Sequence, residues 1–136
     1  MTEEPASEFN KATNTGFRHL INATRFSYQG LVAAVKNESA FRQELALMAI
    51  SIPIGMWISA TALEFALLMA VNLLVLVVEL LNSAIEAAID RIGTEHHPLS
   101  GLSKDYGSAA VMIALLLAAI VWAAIFLTNS SIIPGI

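Results

Sequence analysis

Five residues near the middle of the chain could do chemistry together. Glu79, Asn82, Ser83, Glu86 and Asp90 follow one another at spacings of 3, 1, 3 and 4. At about 100° per residue they fall within roughly 80° of one another, on one stripe of an α-helix. They close an apolar run, Phe65 to Val78, whose helical character continues through Ala84, Ile85, Ala87, Ala88 and Ile89. At about 1.5 Å per residue, Glu86 lies about 6 Å and Glu79 about 16 Å deeper than Asp90. An ionisable group at membrane depth costs at least a few kcal/mol, so it needs a partner, a proton or a water-filled cavity. The bland alternative has Asn82 and Ser83 joining helices beside neutral acids. Two acids and an amide on one stripe weigh against it. Glu38 and Glu44 could add oxygens from the same side, although each alone reads as a snorkelling or capping residue.

Carboxylate oxygens with an amide near a membrane face suit a hard cation such as Mg²⁺, which keeps waters and binds substrate phosphates. Phosphoryl transfer further needs a group to receive the acceptor's proton and cations on the phosphates. The segment from Gly93 to Asp105, with Glu95, His96, His97 and Lys104, could supply the cation. It reads as a flexible loop ending in a lysine at a helix start, where amide N–H groups favour anions. It is neither a Walker loop nor a glycine-rich kinase loop, and the histidine pair by itself reads as solvated.

The elements that must position these residues follow from composition. The chain has 136 residues, 57% of them apolar and 13% charged, with a mean hydropathy of +0.69. Soluble domains run about 45–50% apolar and about 25% charged, so a disordered chain and an ordinary water-soluble globule are excluded. Cysteine is absent, which removes thiol chemistry, cysteine-ligated zinc and a disulfide scaffold. A net charge of −4 argues against a nucleic-acid partner.

The expected fold is an all-α membrane protein with a single domain over 15–136 behind a flexible tail at 1–14. A surface helix at about 15–38 is followed by three spans at about 40–60, 63–91 and 105–128. Leu45 to Leu63 and Tyr106 to Ile136 carry no charge at all, against the roughly 20 apolar residues that a span needs. Pro53 could kink the first span, but Pro53 and Gly55 also fit ordinary membrane-helix composition. Phe17, Leu20, Ile21, Thr24, Leu31, Val32 and Val35 recur at near-helical spacing, as in an interfacial amphipathic helix, broken or bent around Gly30. The first forty residues hold no apolar core of a cleavable signal. Lys11, Arg18, Arg25, Lys36, Arg42, Arg91 and Lys104 are all the cations, and none falls in the 59–62 connection or the C-terminal tail. The positive-inside rule then puts the N-terminus and the 91–104 loop in the cytoplasm and the C-terminus outside. Trp57 and Trp122 fall toward the outer ends of their spans, where indoles favour the headgroup level. Residue physics stops at a three-span protein with a cytoplasm-facing acidic site, compatible with a lipid-modifying enzyme or with a cation or proton pathway.

The string from Glu79 to Arg91 (Glu-Leu-Leu-Asn-Ser-Ala-Ile-Glu-Ala-Ala-Ile-Asp-Arg) resembles the signature of the prokaryotic diacylglycerol kinases. So do Asn37 to Glu44 and Gly101 to Ala110. The resemblance covers roughly residues 15 to 128, and its Glu-x-x-Asn-Ser-x-x-Glu core in a membrane helix is specific. It implies a homotrimer in the bacterial inner membrane, with sites near the cytoplasmic face shared between subunits. The implied reaction moves the γ-phosphoryl of MgATP to the hydroxyl of diacylglycerol, giving phosphatidic acid.

Carried over position by position, Glu79 matches the family's general base, and Glu38 and Glu86 its metal-coordinating pair. Asn82 would orient the acceptor, the base or the phosphate, with Asp90 in support. Lys104 and Asp105 match the nucleotide-contacting pair, with Glu95, His96 and His97 beside them. The lipid's route would run along Ala23, Thr24, Ser27, Tyr28, Val32 and Val35, past Ala40 and Glu44, to Trp57, Ser108 and Trp122. Two positions depart from the family. His19, preceded by Arg18, stands where well-known members carry an arginine that would meet nucleotide and lipid. Phe26 stands where a tyrosine hydroxyl might have met nucleotide. An undecaprenol kinase is the sister reading, and a proton or cation pathway built on Glu79 and Glu86 the remoter one.

Overall fold

The computed structural model describes residues 16–93 and 95–130; the expected tail at 1–14 lies outside them. Four helices follow in order: α1 (Phe17–Asn37), α2 (Ser39–Ile58), α3 (Ala62–Ile92) and α4 (Pro98–Asn129). The described residues contain no strand. The helix bounds expected at about 15–38, 40–60 and 63–91 lie within two residues of the ends of α1, α2 and α3.

Helix α1 starts at Gly16, whose φ of 65° lies in the left-handed region that glycine tolerates. Of the expected break or bend around Gly30, the break does not occur: the helix is continuous through it. A single interior glycine costs only about 1 kcal/mol relative to alanine, and strong helix formers flank this one. Glu38 is the one non-helical residue between α1 and α2, with extended backbone. Its N–H donates to Ala34 O at 2.9 Å. Arg42, one turn into α2, reaches back so that Nη1 donates to Val35 O at 3.1 Å and Lys36 O at 3.2 Å. A guanidinium thus satisfies carbonyls at the end of α1 that have no partner inside the helix and favour positive charge. Helix α2 continues through Pro53.

At the opposite end, Thr61 caps α3 by accepting from Glu64 N at 3.2 Å, and Glu64 Oε2 accepts from Ala60 N at 2.7 Å. Asn129, at the end of α4, donates through Nδ2 to that Glu64 oxygen at 2.8 Å and to Ile58 O at 3.1 Å. This knot fixes the short α2–α3 connection beside the end of α4. The other end of the bundle therefore gathers the start of α2, the end of α3 and the start of α4.

Helix α4 begins seven residues before the expected position 105. Pro98 takes the first helical turn and His97 Nδ1 accepts from Leu99 N at 3.2 Å, so proline and cap together start the helix early. Two consequences correct the sequence reading. The segment from Pro98 to Asp105 is helical rather than a loop, and Lys104 lies well inside a helix rather than at its start.

Packing is closest between α3 and α4. Val71 and Val75 meet Ala114 and Ala118, small residues that let two membrane helices approach. Ile58, Leu68 and Ile125 form a cluster toward the Asn129 end, and Ala34, Phe41 and Leu76 bind α1 and α2 to α3 at the other. The outward residues Leu73, Val77, Leu81, Met112, Ile113, Leu116 and Ile120 stay exposed, a surface suited to hydrocarbon. Among the described residues two helices, α3 and α4, are long and apolar enough to cross a membrane.

Candidate active site

The polar stripe of α3 is present as expected, and burial sorts its members. Glu79 is buried at 6% exposure, Asn82, Ser83 and Glu86 are half-buried, and Asp90 is exposed. The carboxylates whose charges bear on Glu79 are Glu44, Glu86 and Glu38. Glu38 reaches this group because it is the hinge between α1 and α2, and Glu44 because it lies on the second turn of α2. Two helices, α2 and α3, and the hinge before α2 carry these four acids.

Asn82 Nδ2 donates to Glu86 Oε1 at 3.0 Å, which fixes one oxygen of that carboxylate. Asn82 Oδ1 is buried without a hydrogen-bond donor. Lys104 crosses from α4 to α3, its Nζ 2.7 Å from Asp90 Oδ1. Beyond it, Glu95, His96 and His97 line a hollow of about 230 Å³ with Asp90, Ser100 and Lys104. Asp105 stands exposed outside this lining.

No group of three or more His, Asp or Glu among the described residues is gathered to hold a metal by itself. The donor set of Glu38 and Glu86 is all oxygen, which fits a hard cation that keeps its waters and its phosphate ligands.

The remaining candidates are spread over α1, α2 and α4. Ser27 and Glu38 line a hollow of about 600 Å³ between α1 and α3 with Ala34, Leu80 and Ser83. Tyr28, Val32 and Val35 line a second, shallow one on α1. Thr24 Oγ1 donates to Leu20 O at 2.9 Å, within its own helix. Arg18, His19, Ala23, Phe26, Ala40, Trp57 and Ser108 are exposed. Within one chain, neither His19 nor Phe26 lines the hollow at Glu95 to Lys104.

Glu44 and Trp122 line one apolar groove of about 270 Å³ between α2, α3 and α4. Trp122 is half-buried in the bundle, where its Nε1 donates to Asn72 Oδ1 at 3.1 Å. A buried indole N–H needs such an acceptor. Sequence reasoning passed over Asn72; its signal was a lone amide inside an otherwise apolar run. It also passed over Gly107, whose neighbour is Asn82.

The model of the prokaryotic diacylglycerol kinase family matches residues 25–126, from α1 to the last turns of α4. The chain belongs to that family. It is therefore an enzyme, a kinase. Among curated diacylglycerol kinases, that of Haemophilus influenzae is 53% identical over 111 residues, covering 82% of this chain and 94% of its own. That of Escherichia coli K12 is 50% identical over 108 residues, covering 79% and 88%. That of Pseudomonas aeruginosa is 48% identical over 113 residues, covering 83% and 92%. The matched family segment contains all four clustered acids, Asn82, Asp90 and Lys104. Arg18 and His19 precede it.

Proposed function

We propose that the protein transfers the γ-phosphoryl of MgATP directly to the free hydroxyl of diacylglycerol, giving phosphatidic acid at the cytoplasmic face of the bacterial inner membrane. The observation that carries this reading is Glu79: a buried carboxylate at the end of an apolar stretch, under the charges of Glu44, Glu86 and Glu38. Among the described residues no lysine or arginine pairs with it.

Glu79 takes the proton of the lipid hydroxyl as that oxygen forms its bond to the γ-phosphorus. The bond from the γ-phosphorus to the β–γ bridging oxygen breaks, and ADP leaves with the electron pair. Glu38 and Glu86 would hold the magnesium that arrives with ATP, where it would draw charge from the transferring phosphoryl. Asn82 orients Glu86, and Lys104 supplies positive charge for the phosphates from above Asp90. Glu95, His96, His97 and Asp105 contact nucleotide, and the groove from Glu44 to Trp122 accepts lipid.

In this reading α2 is the third span. Its first turns carry Arg42, Gln43 and Glu44 because they sit at the cytoplasmic boundary. Arg42, Arg91 and Lys104 lie at one end of the bundle, opposite the Glu64–Asn129 knot, which supports a cytoplasmic N-terminus and a C-terminus outside. A homotrimer with shared sites would let His19 and Phe26 of one subunit reach a nucleotide site on another.

Transfer from labelled ATP, with diacylglycerol and an isoprenoid alcohol offered in parallel in mixed micelles, tests the reading. Mg²⁺-dependent product from diacylglycerol is expected, and Glu79→Gln should lower turnover by about 10²–10⁴-fold while MgATP still binds. Product mainly from the isoprenoid would move the assignment to undecaprenol. No product from either, in folded protein, would return the acidic cluster to a proton or cation pathway.

A further inference from the structure

Gly107 is buried on α4 and faces Asn82 of α3. A Cβ at this position would overlap Asn82 Oδ1 and stand 3.2 Å from Asn82 Cγ. The atoms in the way are the carboxamide itself, and that carboxamide is already engaged. Its Nδ2 donates to Glu86 Oε1 at 3.0 Å, while its Oδ1 is enclosed with no donor. Turning the amide over would set its oxygen against the Glu86 carboxylate, two acceptors facing each other, so the hydrogen-bond network fixes which atom is which. The oxygen instead lies along the Cα–H direction that any other residue would fill with a side chain, a weak contact recurrent where helices cross closely. Further along the same face of α4, Ala114 and Ala118 meet only valines. Gly107 alone among these small residues meets a polar side chain of the acidic cluster.

We propose that Gly107 is a positioning residue of the phosphoryl-transfer site. Its missing side chain sets the rotamer of Asn82 and, through Asn82, the direction in which Glu86 offers its free oxygen to MgATP. The proposal rests on the reading of Glu86 as a MgATP ligand.

Alanine is a better helix former than glycine, so a glycine needed only by the helix would tolerate the exchange. Gly107→Ala should instead raise the apparent KM for MgATP about tenfold or more, the scale on which partners that orient metal ligands act. The KM for diacylglycerol should not move. Affinity for a non-hydrolysable MgATP analogue, titrated calorimetrically into the full-length protein in detergent, should fall in parallel.

Asn82→Ser removes the amide and leaves room for the Cβ. In that background Gly107→Ala should weaken analogue binding no further, and the pair should fold even where Gly107→Ala alone does not. Coupled positions depart from additivity in this way, and independent ones do not. Unchanged analogue affinity in Gly107→Ala, or equal losses in the parent and Asn82→Ser backgrounds, would overturn the proposal while leaving lipid phosphorylation standing. If the parent binds the analogue but transfers nothing to diacylglycerol, the proposed substrate falls and the binding comparison still decides the role of Gly107. A parent that does not bind the analogue would overturn both.

Discussion

Lys104 Nζ lies 2.7 Å from Asp90 Oδ1, so the cation proposed to meet the nucleotide is held by a carboxylate of the preceding helix. Both side chains are open to solvent, at 42% and 66% exposure, and an exposed ion pair contributes little to stability. Its effect is on where the ammonium stands and how firmly it keeps its proton. Lys104 precedes the apolar part of α4. The hydrogen bond to Asp90 is the largest influence on it; partial loss of solvation opposes this, and the charges of Asp90 and Glu86 reinforce it. Together they lift Lys104 above the ordinary lysine range.

A raised lysine pKa stabilises the fold in full below the ordinary lysine value and loses that effect only as pH rises through the raised one. That contribution is small for so exposed a pair, so Asp90→Asn should leave neutral-pH stability nearly unchanged and shift the basic limb of the pH–rate profile to lower pH. The KM for MgATP should rise, and Lys104→Met should raise it further. A basic limb that stays in place in Asp90→Asn would show that the pair does not govern the ammonium.

Glu38 and Glu86 approach the cluster from different elements, a hinge and a helix, yet the proposed mechanism gives them one task. Glu86→Gln and Glu38→Gln should each raise the Mg²⁺ concentration needed for half-maximal rate and the KM for MgATP. Losses of about 10-fold to 100-fold are the scale for groups that hold or orient a metal. Glu79→Gln, by contrast, should lower kcat with little change in either KM. Rates measured across a Mg²⁺ series at saturating lipid separate the two patterns.

How much of this was legible in the sequence depends on the range of the interaction. The stripe from Glu79 to Asp90 is local, because a helix of 3.6 residues per turn fixes which side chains share a face before anything packs against it. The partners of that stripe are not local. Glu38 joins Glu79 only because one extended residue turns α1 into α2, and Gly107 matters only because α4 crosses α3 at Asn82. The early start of α4 was within reach, since His97-Pro98 carries a cap and a first-turn proline. Placing Lys104 at the helix start gave that signal too little weight. Gly30 shows the opposite case, a glycine whose helix continues where a break or bend is the local expectation.

Asn72 carries the last prediction. It donates through Nδ2 to Ser51 Oγ on α2 at 2.7 Å and accepts through Oδ1 from Trp122 Nε1 on α4 at 3.1 Å. Ser51 Oγ in turn donates to Met48 O at 2.7 Å. One amide therefore ties three helices together where the surroundings are largely apolar. Interhelical hydrogen bonds in membranes contribute about 0.6 kcal/mol on average and up to about 1.7 kcal/mol, because the unfolded chain in the bilayer also finds partners. Asn72→Leu should lower the Tm in detergent through two such bonds, and Trp122→Phe through one. The double variant should lose less than the sum, since the indole and the amide share a bond. Asn72 also lines the groove with Glu44 and Trp122, so Asn72→Leu should shift acyl-chain preference while leaving the KM for MgATP as it was. Thermal unfolding and a chain-length series of diacylglycerols check both halves, and additive Tm losses would show that the amide and the indole act apart.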